Sequence, residues 1–216
     1  MTDGILLIDK PQGFTSFDVI AKLRGMTRIR RIGHAGTLDP MATGVLPCLL
    51  GTAARLCDVL PDETKTYRAS VRFGVVTDTQ DITGTVLAES GAPVTRAALD
   101  AALCAFRGEI LQTPPMYSAV RVNGKRLYDL AREGREIERA PRRITIHALE
   151  VLGFDEAERT AVCSVTCSKG TYVRTLFHDL GQALGCGAAL TALCRTAAGG
   201  WTLDGCITMK EAQRLT

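Results

Sequence analysis

From Lys65 onward apolar and polar residues alternate strictly, with Tyr67, Ala69, Val71 and Phe73 on one face and Arg68, Ser70 and Arg72 on the other. A period of two marks a strand with one face on a core. The same alternation returns in Ile144 to Phe154 and Thr160 to Cys167, which predicts an antiparallel pair. Gly4 to Asp9 and Val45 to Leu50 read as short buried strands, and Thr85 to Ala88 as a strand after a turn. Helical spacing appears after Thr15 or Ser16 (Val19, Ile20, Leu23, Met26), after Thr95 (Leu99, Leu103, Phe106) and from Thr171 (Val173, Leu176, Leu180, Leu184). Thr52 to Leu60 reads as a short helix, and Thr208-Met209-Lys210-Glu211 is a capping box before a last one. No repeat, low-complexity tract or linker separates independent domains, so the expectation is one α+β domain over 1–216 with a mainly antiparallel sheet.

Within it, Gln112 to Arg143 is polar, basic and bounded by prolines, with a hairpin signal at Asn123-Gly124 and a short helix near Leu127 to Glu133. It reads as an insertion, mobile until a ligand orders it. Residues 171–216 read as a C-terminal helical part of the same domain.

At 46% hydrophobic and 23% charged, 216 residues can bury a sizeable core, which excludes a disordered or fibrous chain. The longest stretches without Asp, Glu, Lys or Arg, Pro40 to Ala54 and Leu180 to Cys194, are 15 residues each, short of the roughly 20 a membrane-spanning helix needs. MTDGILLIDK has no basic region ahead of its apolar run, so it does not read as a secretory signal, and the expected location is cytoplasmic. The eight cysteines include no C-x-x-C pair, and the three histidines form no ligand spacing with them. They read as reduced thiols, with no metal site. The net charge of +3 is modest but uneven. No acid lies between Asp18 and Asp39, where Lys22, Arg24, Arg28, Arg30 and Arg31 fall, and Arg121 to Arg143 holds eight basic residues against four acidic ones. Either cluster alone fits a solvated face; the two together point to a polyanion.

Two segments carry candidate chemistry. In Gly33-His34-Ala35-Gly36-Thr37-Leu38-Asp39-Pro40 the glycines and proline break any helix, and proline restricts Asp39 to extended backbone, presenting its carboxylate at a fixed angle. By itself an Asp-Pro in a loop is also a common turn former. In Cys167-Ser168-Lys169-Gly170-Thr171-Tyr172-Val173-Arg174 a strand ends, a glycine turns the chain and a helix opens with Tyr172 and Arg174 on its first turn. This combines free N–H groups with a positive side chain, as an anion site would, and equally fits a plain cap with an exposed arginine.

The stretches GILLIDKPQGFTSFDVI, RIGHAGTLDPMATGVLPCLLGTAARL, KTYRASVRFG, TDTQDITG, QTPPMYSAVRVNGKRLYDLAREG and CSKGTYVRTLFHDLG together resemble the TruB family of tRNA pseudouridine synthases, over roughly residues 4 to 195. The resemblance implies that family's catalytic fold and isomerisation of the T-loop uridine at tRNA position 55, in which the base is detached at N1 and rejoined to the ribose through C5. Asp39 matches the aspartate of G-[AT]-L-D-P and is the implied nucleophile, by attack on C1′ or by way of a glycal. Arg174 matches the arginine of Y-[IV]-R and is implied to pair with it. Tyr67 matches the tyrosine that stacks on the flipped uracil, and His34 the histidine that fills the gap the base leaves. Tyr172 and Leu193 match pocket-lining positions, and Asp81 joins the arginine network. Lys10-Pro11 matches a motif that supports the catalytic loop. No cofactor is implied.

For the RNA backbone the expected contacts are Lys22, Arg28, Arg30, Arg31, Arg126 and Arg142, with 112–143 as a thumb that closes on the T arm. The expected partner is the tRNA T-arm stem-loop, with no membrane and no protein partner required, the protein acting as a monomer. Two departures from the family stand out. No PUA-type RNA-binding domain is expected in the residues that remain, which implies weaker substrate affinity, and Leu193-Cys194-Arg195 replaces the more usual L-R-R. The alternative reading is a non-catalytic RNA-binding or tRNA-folding module.

Overall fold

The computed structural model describes residues 3–57, 59–60, 64–122 and 124–214. In chain order its strands are β1 (Gly4–Lys10), β2 (Ile32–His34), β3 (Thr43–Leu50), β4 (Lys65–Phe73), β5 (Val75–Thr77), β6 (Val86–Glu89), β7 (Gly108–Gln112), β8 (Arg121–Val122), β9 (Lys125–Arg126), β10 (Arg142–Asp155), β11 (Thr160–Cys167), β12 (Ala188–Ala198) and β13 (Trp201–Thr202). The helices are α1 (Ser16–Thr27), α2 (Arg96–Leu103), α3 (Leu127–Arg132), α4 (Val173–Ala183) and α5 (Met209–Arg214). Contacts divide the chain into two compact units, one formed by 1–68 with 192–216 and the other by 69–191, so the chain leaves the first unit along β4 and returns to it along β12.

In the first unit β1 and β2 each pair antiparallel with β3, and β3 pairs parallel with β12 at Thr43↔Cys194 and Gly44↔Arg195. Helix α1 begins where expected: Thr15 and Asp18 form a reciprocal capping box, and Val19, Ile20 and Leu23 turn inward. They pack with Ile8, Ile32, Leu46, Cys48 and Ala212 into one apolar cluster. The expected box at the last helix is also present, with Thr208 and Glu211 exchanging hydrogen bonds. A 3-10 turn, Gly51–Leu56, takes the place of the short helix read over 52–60, of which residue 58 lies outside the described residues.

The second unit holds the expected antiparallel pair β10 and β11, flanked by β7. The inner face of β4 here is Ala69, Val71 and Phe73, all buried, with Arg72 outside. Gln112, the last residue of β7, pairs with Arg142, the first of β10, so the 112–143 insertion leaves and re-enters at one point of the sheet. Its interior is less bare than its composition suggests. Strands β8 and β9 form the hairpin expected at Asn123-Gly124, of which Asn123 lies outside the described residues, and α3 buries Leu127 and Leu130.

The reading of 171–216 as helical is corrected. Helix α4 ends at Ala183, Gly185 and Gly187 turn the chain with positive φ, and Ala188–Ala198 is a strand. The first three residues of β12 are all buried, so no inside-outside alternation marks it, and its alanines favour helix locally until pairing overrides them.

Burial pushes the Cys48 and Cys163 thiols up to about 12, whereas Cys104 is exposed. Because the thiolate is the nucleophile, iodoacetamide near neutral pH should modify Cys104 in the native protein and reach Cys48 and Cys163 only after unfolding. Native-state labelling of Cys48 as fast as Cys104, read by peptide mass spectrometry, would contradict this packing.

Candidate active site

The loop between β2 and β3, residues 35–42, presents Asp39 half-buried. Both of its neighbours are held by residues that follow β1, Gly13 in the turn and Ser16 at the start of α1. Ser16 Oγ accepts from the Leu38 amide at 2.9 Å and donates to the Leu38 carbonyl at 3.3 Å, and the Gly13 amide donates to the Pro40 carbonyl at 2.7 Å. The Asp39 carbonyl accepts from the Ala42 amide at 3.0 Å, closing a turn behind it. An aspartate flanked by fixed neighbours is pre-organised, which is what a group that must meet a reacting carbon at one angle requires.

The charges beneath this loop are positive and buried. Lys10 is fully buried, its Nζ donating to the carbonyls of Phe14 (2.6 Å) and Pro11 (3.1 Å). Burial lowers its pKa to about 8, with Asp39 opposing that fall and Arg195 adding to it. Arg195 is also fully buried. His34 sits at the end of β2, held below its usual pKa by burial and then by the charge of Arg195, so its ring is neutral at pH 7. Tyr67 lies on the buried face of β4 and Leu193 on β12, both 6% exposed. Lys22, Arg28, Arg30 and Arg31 are all exposed around α1 and the turn after it, as a contact face for a polyanion requires.

In the second unit Arg174 and Asp81 meet, with Nε 3.8 Å from Oδ2 and the two side chains 4% and 6% exposed. Arg174 also donates to the carbonyls of Thr79 (2.5 Å) and Tyr117 (2.8 Å). The other Asp81 oxygen accepts from the Thr83 amide (2.9 Å) and the Thr79 and Thr83 hydroxyls (2.9 and 2.5 Å). A buried ion pair of this kind holds its shape only because the remaining donors and acceptors are met. Asp81 and Arg174 thus form a buried ion pair within this unit. Tyr172 is the N-cap residue of α4 and half-buried, its backbone held on both sides by the Gln112 side chain, which accepts from its N–H (2.8 Å) and donates to its carbonyl (3.1 Å). Arg126 and Arg142 are exposed.

Sequence reasoning missed Gln112, Ser16 and Arg195 as supports. Gln112 opens QTPPMYS and is buried at 3% exposure despite being polar, but nothing local to the chain announces a partner 60 residues away. Among the described residues no group of three or more His, Cys, Asp or Glu is arranged to hold a metal ion, and no helix is long and apolar enough to cross a membrane.

The charge of Lys10 has a signed consequence. Its folded pKa is depressed, so between about pH 8 and 10.5 the unfolded chain holds a proton that the folded one has released, and stability rises with pH across that window. The unfolding free energy of the wild type relative to Lys10→Met should therefore increase from pH 8 to pH 10.5 in urea titrations. A difference that stays flat or falls would contradict the depressed value.

Residues 24–173 match the TruB family pseudouridylate synthase N-terminal domain, and residues 174–216 match the tRNA pseudouridylate synthase B C-terminal domain. The chain is 52% identical over 202 residues to tRNA pseudouridine synthase B of Chromobacterium violaceum, covering 94% of this chain and 65% of that protein. It is 50% identical over 213 residues to the protein of the same name from an Azoarcus species, covering 99% and 70%. It thus spans about two thirds of the length of these curated relatives. Among solved structures it resembles a chain in the crystal structure of a Cbf5-Nop10-Gar1 complex, with TM-score 0.77 and 30% identity over 98% of this chain and 54% of that one. With both family domains matched in sequence and a mainly antiparallel α+β fold that places Asp39 on a braced loop, the chain belongs to the TruB family of pseudouridylate synthases.

Proposed function

We propose that this chain isomerises uridine to pseudouridine in the T loop of tRNA, at position 55, with Asp39 as the nucleophile acting on a base flipped out of its stack. The observation that carries the reading is the Asp39 loop itself: in a chain of the TruB family, the aspartate of GHAGTLDP is braced through Leu38 and Pro40 and lies in the field of a buried lysine. The reaction detaches N1 from C1′, forms a C1′–C5 bond, and transfers the C5 hydrogen to solvent while N1 takes up a proton. It is redox-neutral, and a carboxylate suffices because it can stabilise positive character at C1′ and leave again. The family resemblance assigns Arg174 as the charge partner of the nucleophile, its guanidinium pre-aligned by Asp81 and two carbonyls.

The remaining roles are those that the family resemblance and the basic clusters imply. Tyr67 supplies a buried ring on which the uracil stacks, with Leu193 and Tyr172 lining the pocket. His34, uncharged at pH 7, takes the place of the extruded base, offsetting part of the few kcal/mol that flipping costs. Lys22, Arg28, Arg30, Arg31, Arg126 and Arg142 contact phosphates, and residues 112–143 act as the thumb on the T arm, within one catalytic domain over 1–216.

Asp39→Asn tests the assignment, because the amide keeps the shape and loses the charge. With an unmodified T-arm stem-loop, chemical mapping should show no pseudouridine from the variant, while RNA affinity stays within a few-fold of the wild type. Retained turnover in Asp39→Asn would remove Asp39 from the chemistry.

A further inference from the structure

We infer that Arg195 is a positioning residue for the Asp39 loop, clamping both of its ends from beneath; this rests on the reading of Asp39 as nucleophile. The Arg195 side chain is fully buried. Nη2 donates to the Gly36 carbonyl at 3.0 Å, three residues before Asp39, and Nε donates to the Val45 carbonyl at 2.8 Å, six residues after it. One rigid, planar group thus fixes the separation of the two points from which the loop hangs, something a lysine's single ammonium does not do.

The backbone of Arg195 is as constrained as its side chain. At the parallel β3–β12 contact a Cβ on Gly44 would lie 2.2 Å from the Arg195 carbonyl oxygen, so only glycine, here with φ +103, permits the approach. On the loop side a Cβ on Gly36, with φ +78, would come within 3.2 Å of Nη1. The two glycines that border the loop are therefore both seated on Arg195. Nη1 is buried beside Gly36 without a hydrogen-bond partner among the described residues. Leaving such a donor unmet is costly, and it is retained where geometry matters more than stability. Burial lowers the pKa of Lys10 and His34 and the charge of Arg195 adds to both shifts, so the three groups are packed together against some mutual repulsion.

Arg195→Lys keeps the charge and removes the two-point clamp. Displacement of a reacting group by about 1 Å costs on the order of a hundredfold in rate, so single-turnover pseudouridine formation on a T-arm stem-loop should fall about tenfold to a hundredfold, with the RNA dissociation constant within about threefold of wild type. Native-state hydrogen exchange reads the clamp without reference to activity. The amides of Leu38 and Ala42 should exchange at least about tenfold faster in the variant, while those of Val45 to Leu50 keep their protection. If the wild type makes no pseudouridine, the functional reading fails and the exchange result still decides the clamp. An unchanged rate, a slowed rate with unchanged loop exchange, or loss of protection throughout the unit would each overturn the proposal. Should Arg195→Lys not fold, the wild type decides: Leu38 and Ala42 exchanging as slowly as the β3 amides is expected, and fast exchange of the loop beside slow strands overturns it.

Discussion

The close approach of Gly44 to Arg195 is the contact on which the first unit depends. Two strands that lie 151 residues apart in sequence meet in parallel at Thr43↔Cys194 and Gly44↔Arg195, and a side chain larger than hydrogen on Gly44 would force them apart. Closing so long a loop is entropically costly, though the cost grows only slowly with length. What the contact secures is local. Strand β3 carries β1 along one edge and, along the other, β12 at residues 43–44 and β2 at residues 48–50, and the 35–42 loop is suspended between β2 and β3. Fixing β3 from both sides fixes the loop's two ends.

Electrostatics then determines what the loop can do. Lys10 and Arg195 are cations from which water is excluded, each retained by carbonyl oxygens: Pro11 and Phe14 for the one, Gly36 and Val45 for the other. Burial lowers the pKa of Lys10 and of His34, and the charge of Arg195 adds to both shifts, while Asp39 opposes the fall at Lys10. Charges held in place before substrate arrives need no reorganisation during reaction. The second unit treats Arg174 differently, with a carboxylate partner in Asp81 as well as two carbonyls.

Much of the fold was legible because its signals are local. Alternation marked β4, β10 and β11; a cap at Thr15 or Ser16 and the Thr208 capping box marked α1 and α5; and glycines with a proline marked the Asp39 loop. Strand β12 escaped because its first residues are buried on both faces and alanine-rich. Arg195 entered the sequence reading only within Leu193-Cys194-Arg195, with no role of its own, since an arginine is usually exposed, whereas long-range pairing places it at 0% exposure. Gln112 and Ser16 escaped for the related reason that their partners, Tyr172 and Leu38, lie 60 and 22 residues away. The residues of the candidate site were legible through the family motifs, and the atoms that brace them were not.

If the braced Asp39 loop moves the glycosidic bond from N1 to C5, as proposed, the hydrogen lost from C5 reports that step alone. A T-arm stem-loop carrying tritium at C5 of its uridines, incubated with the wild-type protein, should release into water the label of one uridine per RNA, with pseudouridine appearing at the same position and to the same extent. Full retention of tritium in RNA that is bound and intact would contradict the claim.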